Sequence, residues 1–278
     1  MRDGSVRATP RTQSAIAVSA DGRRWLLCNA SPDLHRQIAA TPALQPRGAV
    51  RESPIAGVLL VDGQVDHAAG LLLLRESAAP IEVWSTEAVH EDLSSGFPLF
   101  GILGHYCGVH WNALALGAWH EMPALPGVRV RALAVDGKPG PYSPHRSAPR
   151  TGDNIALAFV DAASGAQLLY APGLAAVAGP VAAALHESRC VLVDGSFWAD
   201  DEMIRAGISE KRARDLGHLP QSGPGGLLEA LARLPRSTRR ILVHVNNTNP
   251  ILDEDSAERA MLTAAGIEVG VDGMEIEL

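Results

Sequence analysis

Several kinds of protein are excluded by residues that this sequence has little of. It contains three cysteines in 278 residues, at Cys28, Cys107 and Cys190, and their wide separation fits neither a structural zinc site nor a disulfide framework. Its longest apolar runs, such as residues 55–61, are far shorter than the about 20 residues that span a bilayer. We therefore expect three reduced thiols and no membrane span.

The sequence also lacks an excess of basic residues. Its 24 lysines and arginines are outnumbered by 31 aspartates and glutamates and are scattered along the chain, so nucleic acid is not an expected partner. Polar and charged residues stand near the start, where a secretory signal has its apolar core, so we expect no cleaved leader and a cytoplasmic location. With 46% hydrophobic and 20% charged residues, the composition is that of a globular protein.

Internal repeats and low-complexity tracts are absent from the sequence, which predicts one continuous domain over residues 1–278. Two β-type runs at 15–18 and 25–28 flank a turn and predict a hairpin, and the apolar run 55–61 predicts a buried strand. Alternating β-type and helical patterns follow. The later predictions are strands at 81–84, 128–134, 155–160, 167–170, 190–193, 241–245, 268–271 and 274–278, and helices at 86–93, 175–185, 225–233 and 255–265.

Hairpins followed by strand–helix units in both halves predict an α+β fold of four layers, in which two mixed sheets pack face to face between helices (αββα). A doubly wound parallel sheet is the alternative. That fold needs a glycine-rich phosphate loop after the first buried strand, and neither GxGxxG nor GxxxxGK[ST] occurs in the sequence. The proline-rich stretch 136–153 predicts a long loop.

Two polar clusters follow predicted strands. Residues 61–67 read VDGQVDH, and residues 244–250 read HVNNTNP. Imidazole and carboxylate groups at the end of a buried strand are well placed to form a site, because they are common metal ligands and acid–base groups. The alternative for both clusters is structural: Asp66 would cap a helix at 68–75, and the asparagines would form a turn.

These clusters and other segments resemble a known family. VDGQVDH lies where the metallo-β-lactamase superfamily, whose fold is αββα, has its H-x-H-x-D-H signature. The sequence resembles the family of coenzyme PQQ biosynthesis protein B over almost its whole length. The segments that carry this resemblance are RTQSAIAVS, LLCNASPDL, HEDLSSGFPLF, YSPHR, GDNIAL, YAPGL, VLVDGSFWADDEMI, GHLPQSGPGG, HVNNTNPILDEDSAERAMLTAAGIEV and DGMEIEL. That family usually has a cysteine-containing segment ahead of RDGS, absent here, so we assign no structural zinc.

The superfamily resemblance implies one metal site rather than two. Asp62 and Gln64 stand at the positions of the first two histidines. Asp66 and His67 match the aspartate and the final histidine, and His244 matches a histidine at a late strand end. The segment YAPGL, at the position of the superfamily's bridging carboxylate, has no carboxylate. A dinuclear hydrolytic centre is therefore not expected.

The implied ligands, Asp66, His67 and His244, are two imidazoles and one carboxylate. Mononuclear non-haem iron sites use this set and leave other positions open for O2 and substrate, so oxidative chemistry is favoured. We expect one divalent metal per chain, with iron preferred, although zinc or copper would accept the same ligands. A role in a turn without metal is the alternative.

Further residues are candidates for acid–base chemistry and substrate binding. His218 in GHLPQSG resembles a superfamily histidine near the reacting group, with a helix-terminus role as its alternative. Asp62 and Gln64 complete the catalytic candidates. Asp194 follows a buried strand and would either fix an imidazole tautomer or bond local backbone. The candidates for binding substrate carboxylates, with turn capping or exposed loop charge as alternatives, are Asn246, Asn247, His145 and Arg146.

The resemblance implies a role in the biosynthesis of PQQ, a redox quinone made from a glutamate and a tyrosine of a precursor peptide. Together with the ligand set, it predicts a hydroxylase, which is an oxidoreductase, acting on the tyrosine-derived ring. One alternative is a soluble carrier that helps to transport PQQ or its precursor toward the periplasm, and another is a metal-dependent hydrolase. The expected partners are PQQ or its precursor and other proteins of PQQ biosynthesis.

Overall fold

The structure, a computed structural model, describes residues 6–48 and 52–278. The chain forms two compact units. The N-terminal unit comprises Thr12–Ala134 and Lys138–Gly165. The C-terminal unit comprises Ala166–Leu278, Val135–Gly137 and the N-terminal residues up to Arg11. A single domain over residues 1–278 stays a prediction.

Strands predominate in the N-terminal unit. Its strands are β1 (Ile16–Val18), β2 (Trp25–Cys28), β3 (Ile55–Leu59), β4 (Ile81–Ser85), β5 (Val109–Ala113), β6 (Trp119–Glu121), β7 (Val128–Ala134) and β8 (Ile155–Asp161). Its α-helices are α1 (Leu34–Ala40), α2 (Val65–Ala68), α3 (Glu87–Glu91) and α4 (Leu99–Leu103). A π-helical turn, Asp92–Gly96, follows α3 directly.

The first five strands form a mixed sheet in the order β1–β2–β3–β4–β5. β1 and β2 are antiparallel, whereas each following neighbour is parallel, and β6, β7 and β8 form an antiparallel meander. β3 pairs with β2 and β4, and three apolar residues of this region, Val58, Leu60 and Val83, are completely buried. Burying side chains of this size contributes about 1.5–3 kcal/mol each. The first polar residues after β3 therefore emerge from a rigid core.

The C-terminal unit contains four parallel strands. They are β9 (Gln167–Ala171), β10 (Cys190–Asp194), β11 (Arg239–Val243) and β12 (Ile267–Val269), and its α-helices are α5 (Gly179–Glu187), α6 (Glu202–Arg205), α7 (Leu227–Ala232) and α8 (Ala257–Ala264). The strands pair in chain order. Asp194 pairs in register with Val243, so the residues that follow β10 and β11 meet at one edge of the sheet.

Most sequence predictions of strands and helices are confirmed, with end shifts of a few residues. The elements that the sequence patterns did not predict are α1, α4, α6, β5 and β6. The predicted strand at 274–278 is wrong, because these residues form no strand. Asp66 as a helix cap is also wrong: Gln64 precedes α2, and Asp66 lies in its first turn. Among the described residues, no helix combines the length and the apolar character that crossing a membrane requires.

The three cysteines are free thiols in different surroundings. Cys28 and Cys190 are buried, and burial raises the pKa of Cys190 to about 11 and that of Cys28 further. Cys107 is only half-buried. Because the thiolate is the nucleophile, we expect a disulfide reagent to modify Cys107 in the folded protein and to spare the other two. Counting the released chromophore in native and urea-unfolded protein, with Cys107→Ala as control, tests this; rapid reaction of a second native thiol would contradict it.

Candidate functional site

Residues 62–67, which we call the ligand turn, follow β3 and include the first residues of α2. Leu60 and Val61 continue the buried run beyond the end of β3, and Asp62 then forms an isolated bridge with Asn154. The side chain of His67 is 4% exposed, and its backbone oxygen accepts a hydrogen bond from the backbone nitrogen of Ala30 at 2.6 Å. The turn is therefore held on both sides by backbone contacts.

His67 is oriented by a carboxylate from the same turn. Its Nδ1 lies 2.8 Å from Oδ2 and 2.9 Å from Oδ1 of Asp62. A carboxylate only accepts hydrogen bonds, so this contact places the proton on Nδ1 and leaves the lone pair on Nε2. Nε2 lies 3.8 Å from Oδ2 of Asp66, a side chain that is 45% exposed. The turn thus presents an imidazole nitrogen and a carboxylate oxygen side by side.

Asp62 and Gln64 have hydrogen-bond partners within the N-terminal unit, and the absence of a second metal there stays a prediction. The carboxylate of Asp62 is used by His67 and also accepts a hydrogen bond from the backbone nitrogen of Gln64 at 2.9 Å. The side-chain amide of Gln64 donates to the backbone oxygen of Lys138 at 3.4 Å. Asp62 is therefore the hydrogen-bond partner that fixes the tautomer of His67, and a catalytic role of Asp62 stays a prediction.

We expect Asp62→Ala to weaken zinc binding by about 10–100-fold, because outer partners of ligating histidines contribute that much to metal affinity. Gln64→Ala, a control from the same turn, should leave the affinity nearly unchanged. Competition with a chromogenic chelator measures both values. Equal losses in the two variants, or a fully occupied second ion touching both residues in zinc-soaked crystals, would contradict this assignment of roles.

In the C-terminal unit, one buried carboxylate organises two histidines. Asp194, which is completely buried, contacts Nδ1 of His218 at 2.6 Å through Oδ2 and accepts a hydrogen bond from the Ser196 hydroxyl at 2.6 Å through Oδ1. The Ser196 oxygen in turn lies 2.8 Å from Nδ1 of His244. Since the serine proton is directed at Asp194, Nδ1 of His244 donates to the serine oxygen. Both histidines therefore carry a proton on Nδ1.

The backbone also adapts to this arrangement. His244 follows β11 with φ of 58°, in the left-handed region that few residues other than glycine adopt, and its backbone oxygen lies 3.0 Å from the hydroxyl oxygen of Ser196. Its ring stacks on that of His218 with centroids 5.4 Å apart. Strained residues of this kind persist only where their surroundings determine them, and they are frequent at functional sites.

The protonation of Asp194 is set by these neighbours. Burial alone would raise its pKa, but the interactions with His218, His244 and Ser196 together outweigh burial and hold the pKa below its usual value. Single ligand atoms of Asp194, His218 and His244 lie within 4.8 Å of one another. Because the oxygens of Asp194 are occupied by Ser196, His218 and the backbone nitrogen of Leu174, we interpret this group as a hydrogen-bond network.

The asparagines after His244 differ in their surroundings. Asn246 is half-buried, and its amide donates to the hydroxyl of Thr248 at 2.7 Å. Asn247 is exposed. Asn249 is buried and donates to the backbone oxygen of Gly195 at 2.8 Å, so it fastens this loop to the loop after β10. Asn247 is therefore better placed than Asn246 for contact with a ligand.

The placement of His145 corrects the expectation for it. The prediction treated His145 as a loop residue able to meet a substrate, but its side chain is 3% exposed and lies between Asp92 and Asp153. Arg146 is half-buried, and its guanidinium donates to the backbone oxygen of Pro139. Of the two, only Arg146 has an accessible side chain.

Sequence analysis also missed Ser196 and Asn249 as members of the network. Ser196 stands in the segment VLVDGSFW, two residues after Asp194, and a hydroxyl at that spacing from a strand-end carboxylate is the available signal. Nothing local indicated that it would also reach His244, which lies 48 residues later in the chain.

Comparisons with known proteins agree with the fold. The beta-lactamase superfamily domain matches residues 24–245. The coenzyme PQQ synthesis protein B of Azoarcus sp. (strain BH72) is 53% identical over the whole chain and 91% of its own length, and that of Azotobacter vinelandii is 52% identical with the same coverage. The crystal structure of Zn2+-bound PqqB from Methylobacterium extorquens has a TM-score of 0.90 and 38% identity, covering 100% of this chain and 91% of that one.

These matches confirm the predicted metallo-β-lactamase fold and exclude the doubly wound alternative. Identities above 50% over the full chain also exceed what a shared fold alone would produce. The chain belongs to the coenzyme PQQ synthesis protein B family, within the beta-lactamase superfamily.

Proposed function

We propose that this protein hydroxylates a tyrosine-derived, carboxylate-bearing precursor of PQQ, with one divalent metal held by Asp66, His67 and His244. The observation that carries the proposal is the orientation of the His67 ring: its Nδ1 contacts the Asp62 carboxylate, and its Nε2 lies beside Asp66. The zinc-bound relative supports a divalent metal in this family. Iron is the metal we propose for the reaction.

The residues present suit a single metal. His244 resembles His67 in one respect, because its Nδ1 also contacts a partner, the hydroxyl oxygen of Ser196. Two imidazoles and one carboxylate leave coordination positions open, and ferrous iron bound there would supply the activation of O2. The two signature histidines that Asp62 and Gln64 replace would be needed for a dinuclear hydrolase.

His218 is the acid–base group in this proposal. Its Nδ1 proton is held by the ionised Asp194, and in the proposed reaction Nε2 accepts a proton from the hydroxyl of the tyrosine-derived ring. Asp194 then stabilises the imidazolium that forms, in the way that a buried carboxylate supports a catalytic histidine. Ser196 links this pair to His244 and keeps the two rings stacked.

Substrate carboxylates would be bound by groups that remain accessible. Asn247 is exposed at the end of β11 and has two amide donors. Arg146 carries a guanidinium that pairs with a carboxylate through two hydrogen bonds. We therefore propose Asn247 and Arg146 as the binding residues, and Asn246 as a residue that shapes the loop through Thr248.

The test is turnover with anaerobically iron-loaded protein, the precursor, 18O2 and ascorbate. Hydroxylation converts a ring C–H into C–OH with one atom of O2, and the other atom leaves as water after ascorbate supplies two electrons. We expect one 18O atom in the product, with O2 consumption that is lost in His67→Ala and kept in His105→Ala, a change at an exposed histidine.

Other outcomes distinguish the alternatives. Saturated binding of the precursor without O2 consumption or product would overturn the hydroxylase and favour the carrier of PQQ or its precursor. A product that carries label from H218O and forms without O2 would favour metal-dependent hydrolysis. Zinc-loaded protein should bind the precursor without turnover, because zinc has no redox chemistry.

A further inference from the structure

A second buried ionisable cluster lies in the N-terminal unit and has no part in the proposed chemistry. His145 is placed between two aspartates: its Nε2 lies 3.2 Å from Oδ1 of Asp92, and its Nδ1 lies 3.0 Å from Oδ1 of Asp153. The side chains of Asp92, His145 and Asp153 are 0%, 3% and 1% exposed. Charged groups are seldom buried this completely unless they are paired.

The three residues come from three segments of the unit. Asp92 is the first residue of the π-helical turn Asp92–Gly96. His145 lies within the proline-rich loop, and Asp153 lies two residues before the start of β8. The turn and the loop are closely packed, because a Cβ atom added at Gly96 would lie 2.1 Å from the backbone oxygen of Tyr142. The His145 imidazole therefore connects the proline-rich loop to the π-helical turn through Asp92 and to the C-terminal end of the loop through Asp153.

Electrostatic attraction accounts for this arrangement. Neither ring nitrogen of His145 has hydrogen-bond geometry toward its carboxylate, so the two contacts are ion-pair contacts at 3.2 and 3.0 Å. Burial raises the pKa of Asp92, and the opposing charge of His145 acts in the other direction. Without the imidazole, two buried carboxylates would lose the partner that they share, and removing one member of a buried ionic group is strongly destabilising.

The cluster is also in contact with the ligand turn. A Cβ atom added at Gly63 would lie 3.1 Å from both Cβ and Oδ2 of Asp92, so the turn rests directly on this carboxylate. The hydroxyl of Tyr142, three residues before His145, donates to the backbone oxygen of Gly63. The backbone nitrogen of Ile155, two residues after Asp153, donates to the oxygen of Val61 at 2.9 Å.

We propose that His145 is a positioning residue: by bridging Asp92 and Asp153 it holds the proline-rich loop against the ligand turn and so fixes the orientation of His67. This inference rests on the proposed function for the metal role of His67, but the positioning itself exists in the metal-free protein. Asp62, which orients His67, lies next to Gly63 and pairs with Asn154, so a shift of the loop moves it directly.

The primary test uses metal-free protein. We expect His145→Gln to accelerate hydrogen exchange at the backbone nitrogens of Gln64 and His67 by at least about tenfold, because both are bonded within the ligand turn. The 15N shifts of the His67 ring should move toward a mixture of tautomers. His105→Gln, the same change at an exposed histidine, should alter neither measurement.

A second variant separates positioning from general stability. Tyr142→Phe leaves the buried cluster in place and removes the hydrogen bond to Gly63, so it should reproduce the faster exchange at Gln64 with unchanged far-ultraviolet circular dichroism. Zinc affinity should fall in both variants and stay constant in His105→Gln. Unchanged exchange and unchanged His67 shifts in Tyr142→Phe and in folded His145→Gln would overturn the inference, whether or not the wild-type protein binds metal through His67.

Discussion

Replacing both His67 and His244 by alanine is expected to abolish stoichiometric metal binding without unfolding the protein. Two of the three proposed ligands are lost, and the remaining Asp66 is a single, partly exposed carboxylate. The loss should exceed the roughly 10–100-fold that removal of an outer partner causes. Equilibrium dialysis against zinc and against ferrous iron, followed by elemental analysis, measures the bound equivalents.

The control for this experiment is His105→Ala, which removes an exposed imidazole and should retain one equivalent of metal. Each single variant, His67→Ala and His244→Ala, should bind an amount of metal between those of the control and the double variant. If the double variant keeps a full equivalent, the assignment of Asp66, His67 and His244 as ligands is wrong, and the proposed hydroxylase would need another metal site.

The second large effect is expected at Asp194. Asp194→Ala should lower the free energy of unfolding by about 3–5 kcal/mol, because it leaves buried donors without an acceptor. The donors that would lose it are the backbone nitrogens of Leu174 and Ser196, the hydroxyl of Ser196 and Nδ1 of His218. Urea unfolding followed by circular dichroism measures the change.

Asp136→Ala in the same unit is the matched control, since Asp136 is exposed and its loss should change stability by no more than about 0.5 kcal/mol. The loss of unfolding free energy in Asp194→Asn should lie between the losses in Asp194→Ala and Asp136→Ala, because an amide keeps one acceptor oxygen. A loss below about 1 kcal/mol in Asp194→Ala, the contribution of one ordinary hydrogen bond, would contradict the central role of this carboxylate.

Local patterns were sufficient to predict the buried strands. Residues 128–134 were predicted and observed as β7, because a run of β-type residues with turn signals on both sides has few other stable conformations. β5 and β6 were missed because they are short, their side chains are half-buried or exposed, and their pairing partners were decided by the sheet. The pattern at 274–278 was equally β-like and found no partner strand.

What the sequence by itself determined about the site is the kind of residue at each strand end. A buried strand must stop where polar residues begin, so Asp66, His67 and His244 were predicted at strand ends, and the structure has them after β3 and β11. Their proposed metal role came from the resemblance, and the ligand assignment stays a prediction.

Only the tertiary structure decided how these residues are held. Ser196 meets His244 across 48 positions of sequence, because β10 and β11 are parallel neighbours that end at the same edge. His145 meets Asp92 because the proline-rich loop packs on the helical turn after α3, which excluded it from the substrate role that its loop position had predicted. Contacts of this kind depend on which strands become neighbours, and sheet pairing is a property of the whole chain that no local pattern encodes.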